Sequence, residues 1–105
     1  MTDDETARVI ADAGIDILIN LNGYFGYARN GVFAKRPAPI QVNYLGFPGT
    51  LGTDTIDYIL ADRWTIPEND RLHYREKVVT LPDSYQPNDS HRRIAEATPT
   101  RSDVG

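Results

Sequence analysis

Apolar residues recur along the chain in alternating helical and strand patterns. At the start, Thr2 and Glu5 form a capping box, and Gly14 stands where a helix C-cap favours positive φ. A helix is therefore predicted from about Asp3 to Ala13. Four later runs, each short and rich in branched residues, predict strands. They are Ile15–Leu21, which we expect to be buried, Ile40–Leu45, Tyr58–Ala61 and Val78–Leu81.

This alternation of helices and strands predicts an α/β fold, with a small, mostly parallel sheet of about four strands flanked by short helices. Two prolines bound the shorter helices. Pro37 limits the helical segment Arg29–Arg36 to about two turns, because its ring disfavours helical backbone at the preceding residue. Pro67 is tolerated in the first turn of a helix, which predicts a short helix continuing to about Tyr74.

The apolar pattern ends near Tyr85. Residues 92–97 contain a single large apolar side chain, which supports at most a marginal helix. We therefore expect one small domain over residues 1–85, followed by a linker or mobile tail over residues 86–105.

Composition restricts the possible functions. The formal net charge of -4 argues against a nucleic-acid surface, which needs clustered Lys and Arg. The absence of cysteine excludes disulfides and thiolate metal sites. No run approaches the ~20 apolar residues of a membrane span, and the acidic start is unlike a signal peptide. We expect a cytoplasmic protein with no nucleic-acid partner and no membrane association.

No residue pattern is diagnostic of catalysis by this chain alone. His73 and His91 lie in polar segments and are expected to be solvated. Asp57 and Asp62 flank the third strand, where Asp commonly caps turns, although two converging carboxylates would suit a hard cation. The glycine spacing within Gly23–Gly31 is not GxGxxG, so nucleotide binding by this segment is not expected. We assign no catalytic residue, no metal ligand and no cofactor.

Candidate binding residues lie where two strands end, because open parallel sheets bind ligands at the carboxyl ends of their strands. Glycine at such an end lets backbone amides approach a ligand closely. For the Pro-Gly-Thr segment, the alternative is a turn that only ends a strand. The candidates are Asn22 and Gly23 after the first strand, and Leu45, Gly46, Pro48, Gly49 and Thr50 after the second.

Tyr24 and Arg29 complete the candidate set. Tyr24, Phe25 and Tyr27 form an aromatic loop that is either a binding platform or a flap packed on a neighbouring part of a larger protein. Arg29 can hold an acceptor backbone or an acidic group through its planar guanidinium, and the alternative is an ion pair with an Asp that braces the loop.

Four blocks of sequence, in register and without gaps, resemble the catalytic region of the protein O-GlcNAc transferase family, which includes the plant SPINDLY proteins. The resemblance extends over roughly residues 8 to 86. Phe25 and Tyr27 depart from it, since the family usually has Thr and Gly there. The blocks are GIDILINLNGY at Gly14–Tyr24, ARN with RPAPIQ within Ala28–Gln41, LGFPGT at Leu45–Thr50 and DYILAD at Asp57–Asp62.

The resemblance implies a fragment of the first, Rossmann-like lobe of an inverting, metal-independent glycosyltransferase with two lobes. Such an enzyme transfers a sugar from a nucleotide-sugar to Ser or Thr of a protein acceptor. The family's counterparts of Leu45 and Gly46 help line the pocket for the transferred sugar. The donor is usually UDP-GlcNAc, whereas SPINDLY relatives use GDP-fucose, and the second lobe and upstream tetratricopeptide repeats are expected outside this segment. A non-enzymatic α/β interaction module and a stand-alone nucleotide-binding domain are the alternatives.

Overall fold

The computed structural model describes residues 1–104, which form four strands and four helical segments. The strands make one parallel sheet in the order β1-β2-β3-β4. The strands are β1 Ile17–Asn20, β2 Ile40–Asn43, β3 Tyr58–Ala61 and β4 Lys77–Thr80. The helices are α1 Asp3–Asp12, α2 Asn30–Ala34, a 3-10 helix Glu68–His73 and α3 Arg101–Val104. The predicted α/β class with a four-stranded parallel sheet is confirmed.

Helix α1 begins and ends as the local sequence predicts. The backbone N–H of Glu5 donates to Thr2 Oγ1 at 3.2 Å, and the N–H of Thr2 donates to Glu5 Oε2 at 2.7 Å, which completes the capping box. Gly14 follows the C-cap residue Ala13 with φ of 65°. Both ends depend on contacts within a few residues, so they can be predicted from sequence.

The first strand is shorter and far more exposed than predicted. Ile17 retains 55% and Ile19 46% of its accessible surface. The prediction of a buried first strand is therefore wrong for residues 1–104, because β1 lies at an edge of the sheet and one of its faces is uncovered. Strand β3 has the predicted bounds, whereas β4 begins and ends one residue earlier than predicted.

Every connection between strands crosses the same face of the sheet. Helix α2 lies there, because Gln41 Nε2 donates to the carbonyl of Phe33 at 2.8 Å. The loop from β2 to β3 lies there as well, where the same nitrogen donates to the carbonyl of Thr55. The segment after β3 places Ile66 against Ile59 and Ala61, and these three side chains form a buried apolar cluster.

The helix predicted after Pro67 is present as the 3-10 helix, which begins directly after this proline. Residues 92–97 form no helix, and a single turn, α3, occurs later. Every side chain from position 86 to 104 is exposed, as expected for a tail, while its mobility stays a prediction. None of the helices within residues 1–104 has the length and apolar character needed to cross a membrane.

Candidate functional site at the carboxyl ends of the strands

The turn after β1 is organised by a buried asparagine. Asn20 Oδ1 accepts hydrogen bonds from the backbone N–H groups of Asn22 at 3.0 Å and Gly23 at 3.1 Å. Its Nδ2 donates to Asn30 Oδ1 at 3.0 Å, and Asn30 Nδ2 donates to the carbonyl of Gly23 at 3.0 Å. The two candidate residues Asn22 and Gly23 are therefore held against the start of α2. The sequence places Asn20 at the end of a strand and Asn30 at the start of a helix, but it does not predict that their two side chains bond to each other.

The turn after β2 contains a strained residue. Leu45 has φ of 78°, in the left-handed region that non-glycine residues rarely occupy. The next N–H, from Gly46, donates to the carbonyl of Leu21 at 3.0 Å and so joins the turns that follow β1 and β2. A Cβ at position 46 would clash with that same carbonyl oxygen. Glycine is required here for close approach of two backbones.

Aromatic packing holds the same two turns together. Gly23 has φ of 62°, and a Cβ there would lie 2.8 Å from Phe47 Cβ. The ring of Phe47 meets that of Tyr24 edge to face, with 6.4 Å between ring centroids. Tyr24 also donates from its hydroxyl to the carbonyl of Leu51 at 2.7 Å, yet it remains 61% exposed. The structure therefore presents a tethered aromatic ring to solvent.

Hydrogen bonds with the segment that precedes β4 hold the Pro-Gly-Thr turn at residues 48–50. Thr50 Oγ1 donates to Glu76 Oε2 at 2.6 Å, and the N–H of Leu51 donates to Glu76 Oε1 at 2.7 Å. The hydroxyl of Tyr74 donates to the carbonyl of Pro48 at 2.9 Å. Since the hydroxyl of Thr50 is engaged within the protein, a role for Thr50 in shaping the turn fits the structure, and direct ligand contact by Thr50 stays a prediction.

Buried Glu76 is the site residue that sequence reasoning missed most completely. It lies 26 positions from Thr50, and no local pattern marks a Glu at the start of a strand as a partner of a distant turn. Gly49, in contrast, is explained by its neighbour, because its backbone lies under the ring of Phe47 with no room for a Cβ.

Arg29 braces the loop against α1, which is the alternative raised from the sequence. Its guanidinium pairs with Asp3 at 2.5 Å and donates to Thr6 Oγ1 at 3.1 Å and to the carbonyl of Met1 at 3.2 Å. Because these partners occupy the guanidinium, the structure favours the bracing role. A contact between Arg29 and an acceptor stays a prediction. Phe25 and Tyr27 beside it are largely exposed, as the aromatic loop was expected to be.

Asp57 and Asp62 do not converge. Asp57 lies before β3, where it pairs with Arg36 at 3.1 Å and accepts from the N–H of Gln41 at 2.8 Å. Asp62 lies after β3, where a backbone hydrogen bond from Tyr85, followed by those from the segment at 64–65, lowers its pKa to about 2. Asp62 acts as a turn residue, as the sequence predicted, whereas Asp57 instead bonds to Arg36 and to the backbone at the start of β2. Within residues 1–104 no three potential metal-ligating side chains come together.

A groove of about 390 Å³ lies at the opposite, amino ends of the strands, where no candidate was predicted. We call it the amino-edge groove. Apolar side chains and charges of both signs line it, and Asp54 is paired with Arg75. It is lined by Pro39, Ile40, Asp54, Ile56, Asp57, Tyr58, Arg75 and Lys77.

Known sequences match this chain closely. It is 46% identical, over 100% of its length, to "Probable UDP-N-acetylglucosamine--peptide N-acetylglucosaminyltransferase SEC" of Arabidopsis thaliana. It is 47% identical, over 77% of its length, to a UDP-N-acetylglucosamine--peptide N-acetylglucosaminyltransferase of Caenorhabditis elegans. These alignments cover only 11% and 7% of the two relatives, so the chain spans about a tenth of their length.

A solved structure agrees with these matches. A mutant O-GlcNAc transferase of Thermobaculum terrenum superposes with a TM-score of 0.79 and 34% sequence identity, over 93% of this chain and 19% of the other. The sequence profile described as "Glycosyl transferase family 41" matches residues 1–101. Because that profile spans almost the whole sequence, the chain belongs to glycosyl transferase family 41.

Proposed function

We propose that this chain contributes part of the first lobe of an inverting glycosyltransferase that transfers a sugar from a nucleotide-sugar to Ser or Thr of proteins. The turns after β1 and β2 form part of the sugar and acceptor side of the cleft. The left-handed conformation of Leu45 carries the proposal, because it lies at the carboxyl end of a parallel strand and at the position that resembles the family's sugar-contacting leucine.

Strain of this kind is informative about function. A non-glycine residue in the left-handed region costs on the order of 1 to 3 kcal/mol and persists only where the surrounding structure determines it. Here the contact of Gly46 with Leu21 leaves little freedom to the turn. The turn therefore presents Leu45 and the backbone of Gly46 in a preorganised arrangement, as a sugar-binding wall requires.

UDP-GlcNAc is the donor that we propose, because two similar relatives are named as UDP-N-acetylglucosamine--peptide N-acetylglucosaminyltransferases. A protein Ser or Thr is the acceptor. Residues 1–105 are expected to be inactive alone, since transfer requires donor and acceptor to be positioned together and that positioning supplies several kcal/mol of barrier lowering.

The test compares this chain with a longer polypeptide that contains it together with a second α/β lobe. With UDP-GlcNAc and a panel of acceptor peptides, the longer polypeptide should transfer sugar and the 105-residue chain should not. In the longer polypeptide, Leu45→Ala should reduce transfer at least about tenfold. Leu72→Ala, an exposed leucine on the 3-10 helix, is the matched control and should leave transfer unchanged.

Three outcomes would contradict the proposal. Sugar transfer above background by the 105-residue chain would refute its role as a fragment. Micromolar binding of UDP, UDP-GlcNAc or GDP to the 105-residue chain, centred on Gly23–Gly31 in amide chemical-shift titrations, would favour a stand-alone nucleotide-binding domain. A longer polypeptide that folds but transfers no sugar would favour a non-enzymatic interaction module.

A further inference from the structure

Asn43 is a completely buried amide at the carboxyl end of β2. The parallel register places it between Asn20 of β1 and Ile59 of β3, on the face of the sheet that α2 covers. Its Nδ2 donates to the backbone carbonyl of Phe47 at 3.1 Å. Its Oδ1 is buried as well and has no hydrogen-bond partner within residues 1–104.

The hydrogen bond from Asn43 spans a strained turn. The N–H of Gly46 donates to the carbonyl of Tyr44 at 3.1 Å, so these two residues and Leu45 between them form a γ-turn. A γ-turn with positive φ at its central residue, here 78°, is the rare and strained form. Asn43 and Phe47 lie immediately before and after the turn. The bond between them therefore holds its two ends together.

The carbonyl that Asn43 holds also lies at the junction with the turn after β1. A Cβ at Gly23 would lie 3.2 Å from the carbonyl oxygen of Phe47 and 2.8 Å from its Cβ. On the neighbouring strand, Asn20 Oδ1 accepts from the N–H of Gly23 at 3.1 Å. Asn20 and Asn43 are partners in the register, so two adjacent buried amides each hold one turn of the candidate site.

This arrangement is unfavourable if stability is the only consideration. A buried oxygen without a donor costs free energy, and so does the left-handed backbone of Leu45. An apolar side chain of similar size at position 43 would remove the bare oxygen and pack against Ile59, which is completely buried. Packing therefore does not explain an asparagine at this position. What the asparagine adds is control of the geometry of the turn.

We propose that Asn43 is a positioning residue for the donor sugar, because its amide holds the γ-turn in the conformation in which Leu45 and the backbone of Gly46 form the sugar-binding wall. The inference rests on the proposed function, which places this turn in the cleft. Since Asn43 is completely buried, it acts through the turn and does not touch the sugar. Its loss should weaken binding of UDP-GlcNAc and leave binding of UDP, which lacks the sugar, unchanged.

The kinetic test uses the longer polypeptide that contains a second α/β lobe. Asn43→Leu should raise the KM for UDP-GlcNAc at least about fivefold, with the inhibition constant of UDP and the KM for the acceptor peptide unchanged. The thermal midpoint of this variant should change by less than about 4 °C, because Leu fills the site and removes the bare oxygen.

Gln41→Leu is the matched control. Gln41 is equally buried, lies on the same strand and face, and also has a bare amide oxygen. Its Nε2, however, donates to the carbonyls of Phe33 and Thr55 and not to the turn. Gln41→Leu should lower the thermal midpoint more than Asn43→Leu does and leave the KM for UDP-GlcNAc unchanged. A merely structural role of Asn43 would give both variants the same pattern.

Side-chain amide exchange in the unmodified longer polypeptide provides a second measurement, which decides if either variant fails to fold. Saturating UDP-GlcNAc should slow exchange of the Asn43 amide at least about fivefold, because a turn that favours sugar binding is favoured by the sugar in return. UDP should not have this effect, and the amide of Gln41 should respond to neither ligand. Nuclear magnetic resonance resolves the two side chains.

Three results would overturn the proposal. They are an unchanged KM for UDP-GlcNAc in folded Asn43→Leu, an equal rise of this KM in Gln41→Leu, and exchange of the Asn43 amide that is the same with UDP-GlcNAc as with UDP. Absence of sugar transfer by the unmodified longer polypeptide would reject the proposed function and the role of Asn43 with it. Sugar transfer with an unchanged KM in Asn43→Leu would reject the role of Asn43 alone.

Discussion

Asp62 Oδ2 accepts a hydrogen bond from the backbone N–H of Tyr85 at 2.8 Å, which holds the backbone at Tyr85 against the carboxyl end of β3. The other carboxylate oxygen accepts from the N–H groups of Trp64 at 2.9 Å and Thr65 at 2.7 Å. One buried carboxylate thus joins two backbone segments, residues 62–65 and the backbone at Tyr85. Beyond Tyr85 every side chain that the structure describes is exposed.

The first prediction concerns the pH dependence of stability. The hydrogen bond from Tyr85, with those from Thr65 and Trp64, lowers the pKa of Asp62 from 3.8 to about 2 in the folded protein. A lowered folded-state pKa contributes stability that is present above about pH 4 and is lost as the pH falls towards 2. Urea unfolding between pH 7 and pH 2 should show this loss.

Asp62→Asn should be less stable at pH 7 and should lose less stability between pH 4 and pH 2. The reason is that an amide nitrogen cannot accept from Tyr85 and an amide does not titrate in this range. Asp83→Asn, an exposed position between β4 and Tyr85, is the control and should keep the wild-type profile. If Asp62→Asn kept the wild-type dependence of stability on pH, the hydrogen bond from Tyr85 to this carboxylate would not contribute to stability.

The second prediction concerns Glu76. Glu76→Ala should reduce the free energy of unfolding by about 2 to 3 kcal/mol, because it leaves Thr50 Oγ1 and the N–H of Leu51 without their charged acceptor. Thr50→Val removes one of these bonds and should cost less. Urea denaturation measures both, with Glu96→Ala in the exposed tail as the control. A loss below about 0.5 kcal/mol for Glu76→Ala, the size expected of an ordinary surface change, would contradict the anchoring role.

The third prediction concerns the junction of the turns after β1 and β2. Gly46→Ala should cost about 1 to 3 kcal/mol, because the new methyl group meets the carbonyl oxygen of Leu21 and neither backbone can move freely. It should also speed hydrogen exchange at position 46, whose N–H donates to that carbonyl.

Gly26→Ala is the matched control for this junction. A Cβ at position 26 meets nothing within 4 Å, but its φ of 63° makes Ala unfavourable there by about 1 to 2 kcal/mol. The control should therefore lose some stability without changing exchange at position 46. Unchanged exchange at position 46 in Gly46→Ala would show that the two turns are not coupled through this contact.

The fourth prediction concerns the tail. Deletion of residues 91–105 should change the free energy of unfolding by less than about 0.5 kcal/mol, because Ile94 and Val104 are largely exposed and the deletion leaves the Asp62 to Tyr85 hydrogen bond in place. Chemical denaturation of the truncated and complete chains provides the measurement. A loss above 1 kcal/mol would place the domain boundary beyond Ser90.

Local features were predictable because neighbouring residues determine them. The capping box at Thr2 and Glu5, the positive φ at Gly14 and the bounds of β3 all depend on residues a few positions apart. The position of the candidate site followed from the order of strands and the rule for parallel sheets. The role of Leu45 in ligand binding stays a prediction, and its strained backbone was visible only in the structure.

Burial of β1 could not be predicted from its sequence alone. An apolar run indicates that a strand is buried in the complete fold, whereas the covering elements are specified by other parts of a polypeptide. Ile17 and Ile19 therefore read as core residues and are exposed within residues 1–104.

The sequence by itself determined the α/β class, the helix caps, the strand positions and the family resemblance, because these depend on short-range patterns. The tertiary structure alone decided that Arg29 pairs with Asp3, that Glu76 anchors Thr50 and that one face of the sheet is open. These partners lie more than 20 positions apart, and the path of the backbone, which no local pattern encodes, determines which distant groups meet.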